Sequence, residues 1–93
     1  MRASERLQQH RLGILRIAYA HGATYVAVFG AIARGDDTER SIIELAVTYP
    51  EPATLDEIVE LEKQIVELLG EPVDVIDSDS EGFEEILREA KPL

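Results

Sequence analysis

The sequence predicts a small α/β (α+β) domain in which helices pack on a short mixed sheet of about three strands. Two observations carry this reading. Apolar residues recur at the helical period in two long segments, and short runs rich in β-branched and aromatic residues lie between glycines and prolines, giving the order helix, strand, strand, helix, strand, helix. A third observation sets the scale: 93 residues with 45% apolar content suffice for one modest core, so a single domain spans 1–93. There are too few strands for a closed barrel, and no internal repeat, low-complexity tract or linker is evident.

The first helix runs from Ser4 to about Ala20. Leu7, Leu12, Leu15 and Ala18 make its stripe, Ile14 and Ile17 widen it, and Gly22 offers a stop. Ala23 to Phe29 reads as a buried strand entering a tight turn at Gly30. Ala31 to Arg34 has room for one helical turn, ended by Gly35, and Asp36 to Arg40 form a polar connection. A second strand, Ser41 to Thr48, is bounded by Pro50 and Pro52. Thr54 then opens a helix with the capping-box pattern Thr54-Leu55-Asp56-Glu57, in which Thr54 and Glu57 satisfy each other's backbone amides. Leu55, Ile58, Leu61, Ile65, Leu68 and Leu69 form its stripe, Glu57, Glu60, Lys63 and Glu67 lie largely off it, and Gly70 ends it. Val73 to Ile76 is a third strand, Asp77 to Glu81 a polar turn, and a last helix carries Phe83, Ile86, Leu87 and Ala90.

Composition excludes several classes of function. With no cysteine there is no disulfide framework, thiolate nucleophile or cysteine zinc site. No apolar run approaches the roughly 18 residues needed to span a bilayer, and the charged start at Arg2, Glu5 and Arg6 is unlike a leader, so a soluble, cytoplasmic protein is expected. Nineteen acidic against nine basic residues give a net charge of −10, which disfavours direct nucleic-acid binding. Acidity concentrates after Asp36, whereas Arg2, Arg6, Arg11, Arg16 and Arg34 make the first third mildly basic. A small core without a covalent staple favours an oligomeric or heteromeric interface.

The most informative run is Val28 to Val47, VFGAIARGDDTERSIIELAV. Strand alternation puts residues 42 and 44 on one face and Ile43, Leu45 and Val47 on the other. Taken with LLG-x-PVDV and a closing REAKPL, this run resembles the signature of the minimal nucleotidyltransferases of the DNA polymerase beta superfamily. Their pattern is Gly-Ser, ten residues, then Asp-x-Asp; here Gly30 and Ala31 stand at the first pair, Ile42 and Glu44 at the aspartates, with the interval preserved. The resemblance implies that Gly30, Ala31, Arg34 and Gly35 surround the nucleotide and that Glu44 and Asp74 remain of the three carboxylates that hold magnesium. Gly30, Arg34, Gly35, Asp36, Ser41 and Asp74 fit the pattern.

Ala31, Ile42 and Glu44 depart from it. Ala31 lacks a phosphate-binding hydroxyl, worth on the order of 1 kcal/mol. Ile42 offers hydrocarbon where magnesium requires oxygen. Glu44 keeps the charge but shifts its carboxylate by one methylene, in a class of site where a displacement of about 1 Å can cost about a hundredfold. Magnesium is accordingly expected to bind weakly or not at all at Glu44 and Asp74. Asp36 and Asp37 read as solvated loop residues, His10 and His21 as helix-end residues, and Tyr19, Tyr25 and Tyr49 as packing residues.

The function implied is that of a degenerate member, an antitoxin-type binding partner of a HEPN-domain toxin, with nucleotidyl transfer lost or strongly impaired and at most weak ATP binding. The alternative is residual magnesium-dependent transfer of AMP from ATP to a protein partner. Self-association is the competing expectation for the surface, and no membrane contact is expected.

Overall fold

A computed structural model describes residues 1–80 and 82–93; Glu81, the end of the expected Asp77–Glu81 turn, lies outside the described residues. Helix α1 (Ala3–Gln9) and helix α2 (Arg11–Ala20) lead to strand β1 (Tyr25–Phe29) and the single turn α3 (Ala31–Arg34). Strand β2 (Ile43–Thr48), helix α4 (Leu55–Leu69), strand β3 (Val73–Asp77), helix α5 (Phe83–Leu87) and strand β4 (Lys91–Pro92) follow.

Among the described residues the sheet has four strands in the order β3-β2-β1-β4, one more than the three expected, the addition being the two-residue β4. It is mixed, as expected: β1 runs antiparallel to β2 and β4, and β2 parallel to β3. A parallel neighbour needs a long crossover, and α4 supplies it.

The two faces of the sheet are covered unequally. Val26 and Val28 of β1, Ile43, Leu45 and Val47 of β2, and Val73 and Val75 of β3 join Ala3, Leu7, Ile14, Ala18, Leu61 and Ile65 in the main core beneath the helices. On the opposite face, Ala27, Phe29 and Ala46 make a smaller cluster with Phe83 of α5. Helices α2 and α4 approach closely at Gly13, where a Cβ would come within 2.8 Å of a Leu68 methyl.

The expected first helix is in fact two, with the break at His10 (φ −107°, ψ 9°). Residues 3, 7, 14 and 18 would also share one face of a straight helix, so apolar phase carries no sign of the break. The direction of α1 is instead set by distant anchors. The Ala3 N–H donates to the Thr38 carbonyl (3.1 Å) and the Arg6 Nε to Glu71 (2.6 Å).

Helix α4 keeps its expected bounds, with Gly70 in the left-handed region after it. Its cap is one-way: Thr54 Oγ1 accepts from the Glu57 N–H (3.2 Å), and no return bond from the Glu57 carboxylate is found among the described residues. Leu55, expected in the buried stripe, is 77% exposed. It stands at the first helical position and lines an open groove with Ala53, Ile58, Val75 and Ile76. Strand β2 begins at Ile43, leaving Ser41 and Ile42 in the preceding loop. Among the described residues no helix is long and apolar enough to cross a membrane.

Candidate functional site

Strand β1 runs into Gly30, whose backbone (φ 73°, ψ −150°) is one that L side chains rarely adopt. Space adds a lesser demand, because the neighbouring atoms are the movable end of a side chain. A Cβ at residue 30 would collide with the Glu44 carboxylate, which lies directly over the glycine. Register explains this placement, since Phe29 is the cross-strand partner of Glu44. On the other side of β2, Glu44 is the register partner of Asp74 in parallel β3. Three adjacent strand positions thus bring the β1–α3 turn, Glu44 and Asp74 together.

Glu44 sits half-buried in this line. Burial pushes its carboxyl above the ordinary carboxylate range; Asp74 and Glu89 add to the rise and the Arg34 guanidinium opposes it. Arg34 closes the α3 turn and is held in its charged form by Glu89 and by Asp36. Its Nη1 donates to Glu89 Oε1 and Oε2 at 3.2 and 3.3 Å, and its Nε to Asp36 Oδ2 at 3.4 Å. Glu89 Oε1 also accepts the Gly30 N–H at 3.1 Å. The C-terminal segment therefore reaches into the turn that the family resemblance implies as the nucleotide position.

Ala31 opens α3 with a methyl group and no side-chain donor, and Gly35 follows that turn in the left-handed region (φ 81°). Ile42 is 55% exposed just ahead of β2, so a hydrocarbon faces solvent where the family resemblance implies a first metal ligand. The donor set is then two carboxylates and an alkyl group. That set does not supply the oxygen shell that a pair of magnesium ions requires. Among the described residues no group of three or more His, Asp or Glu side chains is arranged to hold a metal ion.

Asp37 corrects the reading of residues 36 and 37 as solvated. Asp36 is exposed, but Asp37 is buried (5% exposed) and ties α1 to the loop. Its Oδ2 accepts the Ser4 N–H at 2.8 Å and its Oδ1 the Arg2 Nη2 at 2.7 Å. Burial alone would push its carboxyl up, but the hydrogen bonds from Ser4 and the Arg2 guanidinium outweigh that and hold it below the ordinary range. Ser41 braces the same loop, its Oγ accepting the Thr38 N–H at 2.9 Å. His10 and His21 cap helix ends, and Tyr49 is a core residue, whereas Tyr19 and Tyr25 are exposed.

Sequence reasoning missed Glu89 as a member of the site. The REAKPL run containing it helps to mark the family resemblance, but a contact spanning 59 residues has no local periodicity to announce it. The basic first third does not form a free cationic surface. Arg2, Arg6, Arg11 and Arg34 are engaged by Asp37, Glu71, the Leu93 carbonyl and Glu89 respectively.

Comparison with known proteins agrees with this architecture. Residues 14–92 match the family described as polymerase beta, nucleotidyltransferase. A Methanocaldococcus jannaschii protein provisionally named a protein adenylyltransferase is 40% identical over 55 residues, covering 59% of this chain and 56% of the relative, so the chain spans little more than half of that protein. A solved structure provisionally described as a minimal nucleotidyltransferase superposes with a TM-score of 0.79 at 36% identity, over 97% of this chain and 95% of that one. A chain in the complex of a tri-AMPylated Shewanella oneidensis HEPN toxin with an MNT antitoxin shares the fold at a TM-score of 0.72 and 17% identity, over 91% of this chain and 69% of that one. On the family match across most of its length and the full-length likeness to that nucleotidyltransferase structure, this chain belongs to the minimal nucleotidyltransferases of the polymerase beta family.

Proposed function

We propose that this chain is an antitoxin-type binding protein, the partner of a HEPN-domain toxin, in which nucleotidyl transfer is lost or strongly impaired. The observation that carries this reading is Ile42: an exposed alkyl side chain stands at the first ligand position of a motif whose spacing is otherwise kept. Ala31 and Glu44 add to it, one by removing a hydroxyl and the other by displacing a carboxylate. Neutralising a toxin by contact requires a surface, whereas transferring AMP requires the missing oxygen ligands. The toxin complex that shares this fold supports the choice of partner.

A second reading, residual transfer, is favoured by one specific observation, the side-by-side register of Glu44 and Asp74. In that reaction an acceptor hydroxyl would attack the α-phosphorus of ATP, forming a P–O bond to the acceptor as pyrophosphate leaves. The protein adenylyltransferase name of the archaeal relative points the same way.

Calorimetric titration with ATP, with and without magnesium, separates the two. The native chain should give no heat of binding, while the combined Ala31→Ser, Ile42→Asp and Glu44→Asp variant should bind ATP only when magnesium is present. Each reversion alone should do little, because metal ligands act as a unit. Magnesium-dependent binding by the native chain would overturn the impairment and favour the enzyme. A folded but inert triple variant would show that the site is misplaced.

A further inference from the structure

Glu89 lies two residues beyond α5 and two before β4, yet its carboxylate sits in the β1–α3 turn. There it takes up two kinds of donor at once, the Gly30 N–H at 3.1 Å and the Arg34 Nη1 at 3.2 and 3.3 Å. A carboxylate and a phosphate ask for the same donors. Arg34 has two further acidic neighbours, Asp36 in contact and Glu44 within reach of its charge. One guanidinium among three carboxylates leaves no net attraction for an added anion while all three stay in place.

We propose that Glu89 is an internal competitor for the nucleotide, a carboxylate that occupies the phosphate donors of the turn and must leave before a triphosphate can enter. The proposal rests on the reading of this turn as the nucleotide position. Exposure makes the exchange feasible. The Glu89 side chain is 33% and the Arg34 side chain 49% exposed, so water and ligand both reach the contact. The backbone at Glu89 is held by its N–H donating to the Ile86 carbonyl (3.2 Å), a bond that side-chain rotation leaves intact. Glu89 is thus a specificity-determining residue: it sets a threshold that a singly charged anion fails to cross and a polyanion passes by supplying more negative oxygens to Arg34 and Gly30.

The test adds Glu89→Gln to the Ala31→Ser, Ile42→Asp, Glu44→Asp variant and titrates both proteins with ATP and magnesium. The added substitution should tighten the dissociation constant about tenfold, since the competing charge is gone while the volume is kept. Unchanged or weaker binding, in a background that itself binds ATP, overturns the competitor role and leaves Glu89 as a brace between the C-terminal segment and the turn. No binding by either protein overturns the site reading and the competitor together. Glu89→Asp, with its charge kept and its reach shortened by one methylene, answers the same question if the glutamine variant does not fold; it should tighten binding by a smaller factor. The Gly30 amide resonance provides a readout independent of affinity. It should move on Glu89→Gln without nucleotide, and an unmoved resonance would overturn the contact.

Discussion

At the scale of single residues, Asp37 matters to folding as much as Glu44 does to the candidate site. Asp37 accepts the Ser4 N–H in the first turn of α1 and pairs with Arg2, so it satisfies a free helix amide while Arg2 neutralises its buried charge. Asp37→Asn should therefore destabilise the protein by about 1–3 kcal/mol at pH 7. The carboxyl is depressed in the folded state, so its contribution is present above the unfolded-state value and is lost as pH falls through the folded one. Urea unfolding of wild type and Asp37→Asn should accordingly differ at neutral pH and converge below about pH 3.9. A constant gap across that range would show that charge is not the source. Glu44 has the opposite sign. Its raised carboxyl means that ionisation costs the fold stability as pH rises, a cost accepted where a carboxylate overlies a glycine. The contrast between the two acids was hidden in the sequence, where Asp37 reads as one more acid in a polar connection. Its burial depends on the approach of α1 from 33 residues away.

Among the elements, those with local causes were legible and those with distant causes were not. Helix α4 carries its own period, its own Thr54 cap and its own Gly70 stop, so its bounds could be read directly. Strand alternation likewise set residue 44 on the face opposite Ile43 and Leu45, whereas Asp74 joined it only through the family resemblance. Strand β4 could not be read, because two residues ending in Pro92 have no alternation and exist only by pairing with Ala27 and Val28. Glu89 was illegible for the same reason, since it comes to the site by the turn between α5 and β4. The outer edge of β3 shows how the crossover helix protects the sheet: the Val75 N–H, which points away from β2, donates to Glu62 Oε1 of α4 at 3.0 Å. Glu62→Ala should leave that amide on an open edge, lower stability by about 1–2 kcal/mol and accelerate hydrogen exchange at Val75. Exchange that stays at the wild-type rate would mean that water or a neighbouring group already serves this amide.

Over the whole molecule the charge is distributed as unevenly as the core. Residues 41–87 contain fourteen acidic side chains and a single basic one, Lys63. Most of the early arginines are engaged within the chain, so they do not form a compensating patch. Self-repulsion of this kind is relieved by screening, whose length falls from about 10 Å at 0.1 M salt to about 3 Å at 1 M. The melting temperature should therefore rise by several degrees between low salt and about 0.5 M sodium chloride, as followed by circular dichroism. A fall with salt would mean that ion pairs such as Arg6–Glu71 outweigh the repulsion.

The unequal covering of the sheet has a historical consequence. The large side chains that are wholly buried, Ile14, Ile43, Leu45, Val47, Leu61 and Ile65, all belong to the helix-covered side, while Glu44, Asp74 and the β1–α3 turn lie toward the thinly covered one. Substitution on the second side removes little of what keeps the chain folded. Exposed positions such as Ile42 could be exchanged in successive steps without passing through an unfolded ancestor. The architecture permits the side chains of this turn to change while the core that sets the fold is inherited intact.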